Sequence, residues 1–340
     1  MKHGLVTNNA VRGLLYREAV RRGETRLPYS PFTIYLDPCN ACNLKCTFCP
    51  QSHWGSRARG CMSWELFEHA LAQVVELRPA RLFLFCFGEA TLNDRLADMV
   101  RAAVDARLRV RIHTNAVALT EEKARGLIEA GLQNIRFSFD TADRELYERM
   151  RAGSSFDRVV ANIRRMIAIR RATGRANPVF ELQEIVPYAE GVKPENTQAY
   201  RDLFEGENVV FRAKFMHSFA GQSRETEFPT QEWEGVSHCS QLYRRIVVNF
   251  DGKIHACCLD PEGYNIVADL AQGDTIAEAW NSPRMLELRR RTNEGDVAGL
   301  EPCDDCELLT RANPVVWSPL GRIASSLAWV CAGAHRRGRV

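Results

Sequence analysis

The sequence has little to mark it for a membrane or for nucleic acid. Its 340 residues carry 45 Lys and Arg against 42 Asp and Glu, a net charge of +3, too near balance to make a polyanion the expected partner. No run approaches the roughly 18 apolar residues of a membrane span. The N-terminus, MKHGLVTNNAVRGLLYREAVRRGE, lacks the apolar core of a secretion signal. Neither nucleic acid nor a membrane is expected as a partner, and the expected location is cytoplasmic. Basic charge is carried almost wholly by arginine, in RRGETR, RRMIAIRR, LRRR and HRRGRV. These runs read either as solvated helix faces or as recognition of a substrate carboxylate or phosphate, which guanidinium binds bidentately. The eight histidines show no HExxH or other ligand spacing. Composition is otherwise ordinary for a globular protein, at 45% hydrophobic and 26% charged, and the length fits one large domain plus a small one.

What the chain does have is cysteine. There are twelve, and four crowd into CNACNLKCTFCP, residues 39 to 50. In a reducing compartment disulfides are not expected, so metal is the default reading. Zinc held by Cys39/Cys42 and Cys46/Cys49 is disfavoured, because zinc pairs usually sit a dozen or more residues apart. Packed, idle thiols are a second alternative. A third drops Cys39 as a bystander and keeps Cys42, Cys46 and Cys49, three thiolates for three irons of a [4Fe–4S] cluster, with the fourth iron left open.

Downstream, strand-like runs alternate with helical ones. The strands are FTIYLD (32–37), RLFLFCF (81–87), RVRIHTN (109–115), NIRFSFD (134–140), VFELQEIV (179–186) and NVVFRAKFM (208–216). Amphipathic stretches such as WELFEHALAQVVEL and TEEKARGLIEAG lie between them, the latter with Thr120 as N-cap and Gly131 as stop. Six β-then-α units imply parallel strands covered by helices. Near residue 220 the pattern changes to a polar linker. A hairpin about Asp251-Gly252 follows, then a helical run with a break at Asn281-Ser282-Pro283, then CDDC. Cys239, Cys257 or Cys258, Cys303 and Cys306 form a second candidate metal set, with zinc chemically possible for four thiolates.

Cys42-x3-Cys46-x2-Cys49 resembles the radical S-adenosylmethionine (SAM) superfamily. That resemblance implies an α/β fold, a partial (β/α)6 TIM-like barrel, with chemistry at the C-terminal ends of its strands. It implies a [4Fe–4S] cluster whose open iron chelates SAM, and reductive cleavage of SAM to a 5'-deoxyadenosyl radical that abstracts hydrogen from substrate. Phe48 stands where the family places an adenine contact. FCFGEATL stands at its Gly-Gly-Glu-Pro segment, retaining Gly88 and Glu89 but not the flanking Gly and Pro. Glu89 is the expected acceptor for the SAM ammonium, the alternative being a solvated loop carboxylate. By the same resemblance Asn115 of HTNA lines the pocket and Ser138 of FSFD reaches the SAM ribose or carboxylate. Arg151 of YERMRAG pairs with the SAM carboxylate, or else lies on a helix surface.

The C-terminal cysteines resemble the twitch domain, a shortened SPASM domain, in which Cys239, Cys257, Cys303 and Cys306 ligate one auxiliary [4Fe–4S] cluster; the Gly-x4-Cys spacing selects Cys257 over Cys258. The expected organisation is a helical extension (1–31), the barrel (32–220), a linker (221–236), a small hairpin/helix twitch domain (237–312) and a tail (313–340). Cys61, Cys86, Cys258 and Cys331 read as packed thiols, any of which is a candidate hydrogen donor to a substrate radical. The N-terminal helix reads as amphipathic and packing.

Two clusters suit net oxidation, as in the butirosin aminocyclitol dehydrogenase type of radical SAM enzyme. The expected substrate is a small polar molecule (aminocyclitol, sugar, nucleoside or sugar nucleotide) in natural-product biosynthesis, with flavodoxin or ferredoxin as electron donor. Alternatives are decarboxylation, dehydration or epimerisation of a similar substrate, and maturation of a ribosomally made peptide. The short segment ahead of the first strand favours a free small substrate over a peptide. A non-catalytic metal or redox-sensing module is the alternative from another class.

Overall fold

Alternating apolar positions decide which face each strand turns to the helices. The computed structural model describes residues 4–53, 58–186, 193–216, 218–223, 238–306 and 309. In chain order the elements are α1 (Asn9–Arg22), β1 (Thr33–Leu36), α2 (Trp64–Leu77), β2 (Arg81–Phe83), α3 (Leu96–Asp105), β3 (Val110–Thr114) and α4 (Glu121–Glu129). They continue with β4 (Asn134–Ser138), α5 (Arg144–Met150), α6 (Phe156–Ala172), β5 (Val179–Val186), α7 (Gln198–Asp202) and β6 (Val210–Phe215). The C-terminal part adds β7 (Arg245–Val248), β8 (Lys253–His255), β9 (Ile266–Asp269), α8 (Ile276–Ala279) and α9 (Pro283–Glu294).

Among the described residues the strands form one nine-stranded sheet, ordered β6-β5-β4-β3-β2-β1-β7-β8-β9. Strands β1 to β6 are parallel neighbours, as an open partial barrel requires. The hairpin about Asp251-Gly252 pairs β7 with β8 antiparallel, Val248 opposite Ile254. Sequence alone places that hairpin in a domain of its own. In the structure β7 lies parallel to β1, Tyr35 opposite Val247, so the C-terminal unit is sewn into the barrel's sheet. Residues 224–236 of the expected linker, and the whole 313–340 tail with Cys331, lie outside the described residues.

Outward strand positions such as Ile34, Leu82, Ile112, Ile135, Phe137 and Phe180 are fully buried, in one core with Phe67, Val74, Met99 and Ile163 of the helices. Each such side chain stabilises the fold by about 1.5–3 kcal/mol relative to exposure. Inward positions on β3 and β4 are only half-buried, giving alternating burial patterns. Helix ends follow their capping residues. Ser63 accepts from Leu66 N at 3.2 Å, and Thr120 from Lys123 N at 3.3 Å. Gly131 (φ +82°) carries the chain out of α4 in a left-handed turn. The Asn-Ser-Pro break falls between α8 and α9, with Ser282 as cap and Pro283 in the first turn. Helix α1 packs differently from a simple amphipathic helix. Val11 and Leu14 are exposed, while fully buried Arg12 donates to Ser30 Oγ at 2.9 Å and to the Pro31 carbonyl at 2.8 Å.

Candidate functional site

The loop carrying Cys42, Cys46 and Cys49 follows β1 at its C-terminal end. It is tied to the segment after α5: Lys45 N donates to Ala152 O and Thr47 N to Met150 O, both at 3.0 Å. Cys49 N closes onto Cys46 O at 3.1 Å, and Ser52 Oγ donates to the same carbonyl at 2.7 Å. The three thiols sit in a small apolar cluster with Leu44, Phe48, Met150, Ile185 and Met216. Burial pushes the Cys42 thiol up to about 11 and Cys49 up to about 12. Iron therefore displaces protons when it binds there, since the thiolate is the ligand. Three soft donors on one loop in a dry setting fit a cluster that needs three thiolates.

A second loop, after β2, packs against the first. Asp37, buried just past β1, accepts from Cys86 N and Phe87 N, both at 3.1 Å. A Cβ on Gly88 would lie 2.2 Å from the Cys39 carbonyl oxygen and 2.5 Å from that of Ala41, so only glycine permits this approach. The next residue, Glu89, is 2% exposed. Its Oε1 accepts from Thr91 N (3.1 Å), Thr91 Oγ1 (2.6 Å) and Thr114 Oγ1 (2.7 Å), and its Oε2 from Asn115 N (2.7 Å). Glu89 thus ties the loops after β2 and β3 together, and Oε2 retains capacity for one more donor. Asn115 Nδ2 donates to Asn43 Oδ1 at 2.8 Å and lies 3.8 Å from Cys42 Sγ. The two loops and the cysteine loop form one unit.

Arg151 is buried, not on a helix surface. Its Nε donates to Asp140 Oδ2 at 2.6 Å, one nitrogen lies 3.8 Å from Cys46 Sγ, and the guanidinium stands 5.5 Å from the Phe48 ring centre. Burial works against its charge, but Asp140 and Cys46 outweigh burial and raise its pKa. Ser138 is half-buried on the inner face of β4, opposite Gln183. Asp140, Thr114 and Asp37 went unnoticed as sequence. Asp140 and Thr114 sit inside the quoted FSFD and HTNA segments, but their partners Arg151 and Glu89 lie outside those segments.

Cys239, Cys257, Cys303 and Cys306 wall one small cavity, with Leu242 and Leu259 among its apolar lining. Cys239 precedes β7, Cys257 follows β8, and the CDDC turn follows α9. Asn265 Nδ2, donating to Glu301 O at 2.6 Å, fastens that turn beneath the hairpin. Burial pushes Cys303 up to about 12. Among the described residues no group of three or more His, Cys, Asp or Glu is arranged to hold one metal ion. Four thiols around a cavity fit the terminal ligands of a larger inorganic group.

The remaining cysteines divide. Cys39 and Cys61 form a disulfide, their Cα atoms 3.9 Å apart across an antiparallel bridge. This corrects two expectations: that the chain has no disulfide, and that Cys61 is a free thiol able to give up hydrogen. The bridge joins residues 22 apart, a pairing no spacing rule reveals. Cys86 and Cys258 lie together on the inner face with Tyr35, Phe83 and Phe87. Cys258 Sγ is 4.0 Å from Arg245 and, unlike Cys257, does not line the cavity.

Comparison with known proteins agrees with this arrangement. Residues 36–174 match the radical SAM superfamily, and residues 239–307 match the SPASM iron–sulfur cluster-binding domain. A Pyrococcus furiosus tungsten-containing aldehyde ferredoxin oxidoreductase cofactor-modifying protein is 32% identical over 108 residues, 32% of this chain and only 30% of that relative. A probable GTP 3',8-cyclase of Methanococcus maripaludis is 24% identical over 267 residues, 69% of this chain and 88% of that one. Among solved structures, BtrN in complex with AdoMet and 2-DOIA shares the fold, with a TM-score of 0.57, 17% identity, and coverage of 83% of this chain and 95% of that one. The chain carries the two domains of a radical SAM enzyme, one that takes SAM on a [4Fe–4S] cluster and a C-terminal SPASM-type domain that takes auxiliary iron–sulfur.

Proposed function

We propose that this radical SAM enzyme dehydrogenates a small polar metabolite, an alcohol-bearing aminocyclitol, sugar, nucleoside or sugar nucleotide. The observation that carries the reading is the second cysteine set. Four thiols surround one cavity, so a single auxiliary cluster there has every iron ligated by protein and serves electron transfer rather than substrate binding. When bound, SAM and the two clusters supply a hydrogen-abstracting radical and an electron acceptor, the pair of functions that net oxidation of an alcohol needs. BtrN, of the same fold, was solved in complex with AdoMet and 2-DOIA, which supports a small-molecule substrate.

The chain's own residues fill the remaining roles. Cys42, Cys46 and Cys49 hold the SAM cluster, and Cys239, Cys257, Cys303 and Cys306 the auxiliary one. Glu89 Oε2 takes the SAM ammonium, and Asn115 lines the pocket beside it. Arg151, with its hydrogen-bonding nitrogens shared between Asp140 and Cys46, draws the SAM carboxylate to the same end of the loop. Phe48 and Ser138 flank the nucleoside. In the test, anaerobically reconstituted protein turns over candidate alcohols deuterated at the carbinol carbon. One deuterium should appear in 5'-deoxyadenosine per ketone formed, with one SAM consumed. Deuterium returning to product, or solvent hydrogen entering that carbon, would reject dehydrogenation.

A further inference from the structure

The inner face of the sheet is half-exposed and cationic where the outer face is buried and apolar. Arg111, Arg136 and Arg212 all converge on the single carboxylate of Glu181, at 2.6, 2.6 and 3.9 Å. Glu181 is 4% exposed, while the two closer arginines remain 22% and 21% exposed. Three guanidiniums therefore meet one carboxylate, which leaves their positive charge in excess, and Arg136 also donates to Gln183 Oε1 at 3.1 Å.

Nearer the cysteine loop stands Lys214, opposite Ile185 in the register of β5 and β6. Ile185 itself packs with Cys46 and Phe48. Lys214 is one of six lysines in the chain. It is half-buried, and none of its hydrogen bonds or ion pairs is found among the described residues. The carboxylate that acts on it most is Asp140, and Asp140 has already committed Oδ2 to Arg151. Among the described residues Lys214 is left without an anion of its own.

Beside these groups, His113 stacks flat on Phe85, ring centres 3.6 Å apart and planes 14° from parallel. In register it lies opposite Arg136. Burial, with Arg136, Arg111 and Lys214 nearby, pushes His113 well below the usual imidazole range, so it is neutral and keeps one donor and one acceptor nitrogen. Its buried Nε2 has no hydrogen-bond partner among the described residues. A buried polar atom and an ammonium that feel each other's charge across one inner face, each without a partner among the described residues, mark a place where a polar ligand belongs.

We infer that this inner face receives an anionic substrate, a carboxylate or phosphate ester, held by Lys214 with Arg136 while its ring or carbon skeleton lies against the Phe85–His113 stack. This deepens the proposed activity and rests on it, because it places the reacting carbon in the space below the cysteine loop. It narrows the substrate class from polar to acidic: a sugar phosphate, a nucleotide or a sugar acid rather than a neutral or cationic polyol.

The test uses SAM-loaded, cluster-reconstituted protein under anaerobic calorimetry, titrated with glycerol 3-phosphate, glutarate and glycerol. At least one of the two anions should bind and glycerol should not; which anion binds separates phosphate from carboxylate. Lys214→Met should weaken the anion about tenfold or more, Lys214→Arg should retain most of the affinity, and Lys253→Met, exposed on β8, should change nothing. Iron content reports that the variants fold. Acetylation of wild-type protein with acetic anhydride, read lysine by lysine by mass spectrometry, repeats the test without a variant: the anion should protect Lys214 and not Lys253. Anions binding no better than glycerol, or binding with Lys214 unprotected and its methionine variant unaffected, overturn the inference. Wild-type protein that never forms 5'-deoxyadenosine defeats the proposed activity separately, and Lys214-dependent anion binding by such protein keeps the site.

Discussion

The two cysteine sets are built by opposite means. Cys42, Cys46 and Cys49 lie on one loop, tied by their own backbone and by the turn after α5. Cys239, Cys257, Cys303 and Cys306 come from three separate segments and meet only because the hairpin, α9 and the CDDC turn pack together. A local set of three leaves one iron free, whereas a dispersed set of four encloses its cluster. On the proposed function the first site binds a reagent and the second passes an electron. The loop site also leans on buried polar supports, while the second has an apolar wall.

Separating the two sites gives the largest expected effect. Wild-type protein should hold about eight irons, and replacing Cys42, Cys46 and Cys49 with alanine should leave about half, with SAM cleavage abolished. Replacing Cys303 and Cys306 should also remove about half the iron, yet SAM cleavage should persist while product formation is lost. Iron analysis with 5'-deoxyadenosine assay reads both. Stoichiometric zinc at the C-terminal set, or loss of both clusters on either replacement, breaks the comparison.

The next largest effect lies in the loop's supports. Arg151→Met strands the fully buried Asp140 without its partner, and breaking such a pair costs about 3–5 kcal/mol. Denaturant unfolding should show the loss, and Arg151→Met with Asp140→Asn should recover part of it. Gly88→Ala forces a methyl group into the Cys39 and Ala41 carbonyls. The expected cost is about 1–3 kcal/mol, with SAM affinity reduced and the auxiliary iron kept; an unchanged melting curve would mean the loops are less tightly joined than the structure shows.

The smallest effect is in pH. Burial pushes Lys214 down to about 8 from 10.5, with Asp140, Arg136, Arg151 and His113 the charged and titratable groups around it. Below about pH 8 the ammonium is charged and holds an anion, so anion affinity should fall as pH rises through that value. Between about 8 and 10.5 the unfolded chain binds the proton and the folded chain does not, so this residue's contribution to stability rises with pH over that window. Lys214→Arg should move the drop in anion affinity upward, and a calorimetric titration across that range tests it.

Much of the architecture was readable because strands and helices announce themselves locally. TIYL of β1, the Thr120 cap of α4 and the Ser-Pro start of α9 each rest on neighbours within a few positions. The three-cysteine spacing is readable for the same reason. Gly88 and Glu89 were marked by resemblance, but not the reason for them: the carbonyls that exclude a Cβ at Gly88 and the threonines that occupy Glu89.

The sequence by itself determined the order of strands and helices and the three-thiol loop, because short-range backbone preferences and side-chain periodicity carry that information. Tertiary structure decided the rest. It paired Cys39 with Cys61, turned Cys257 and Cys258 to different surroundings, joined β7 to β1, and gathered four arginine and lysine side chains onto one inner face. Those outcomes depend on which distant segments share a surface, and that is set by burying the outer faces of all the strands at once rather than by any stretch of residues alone.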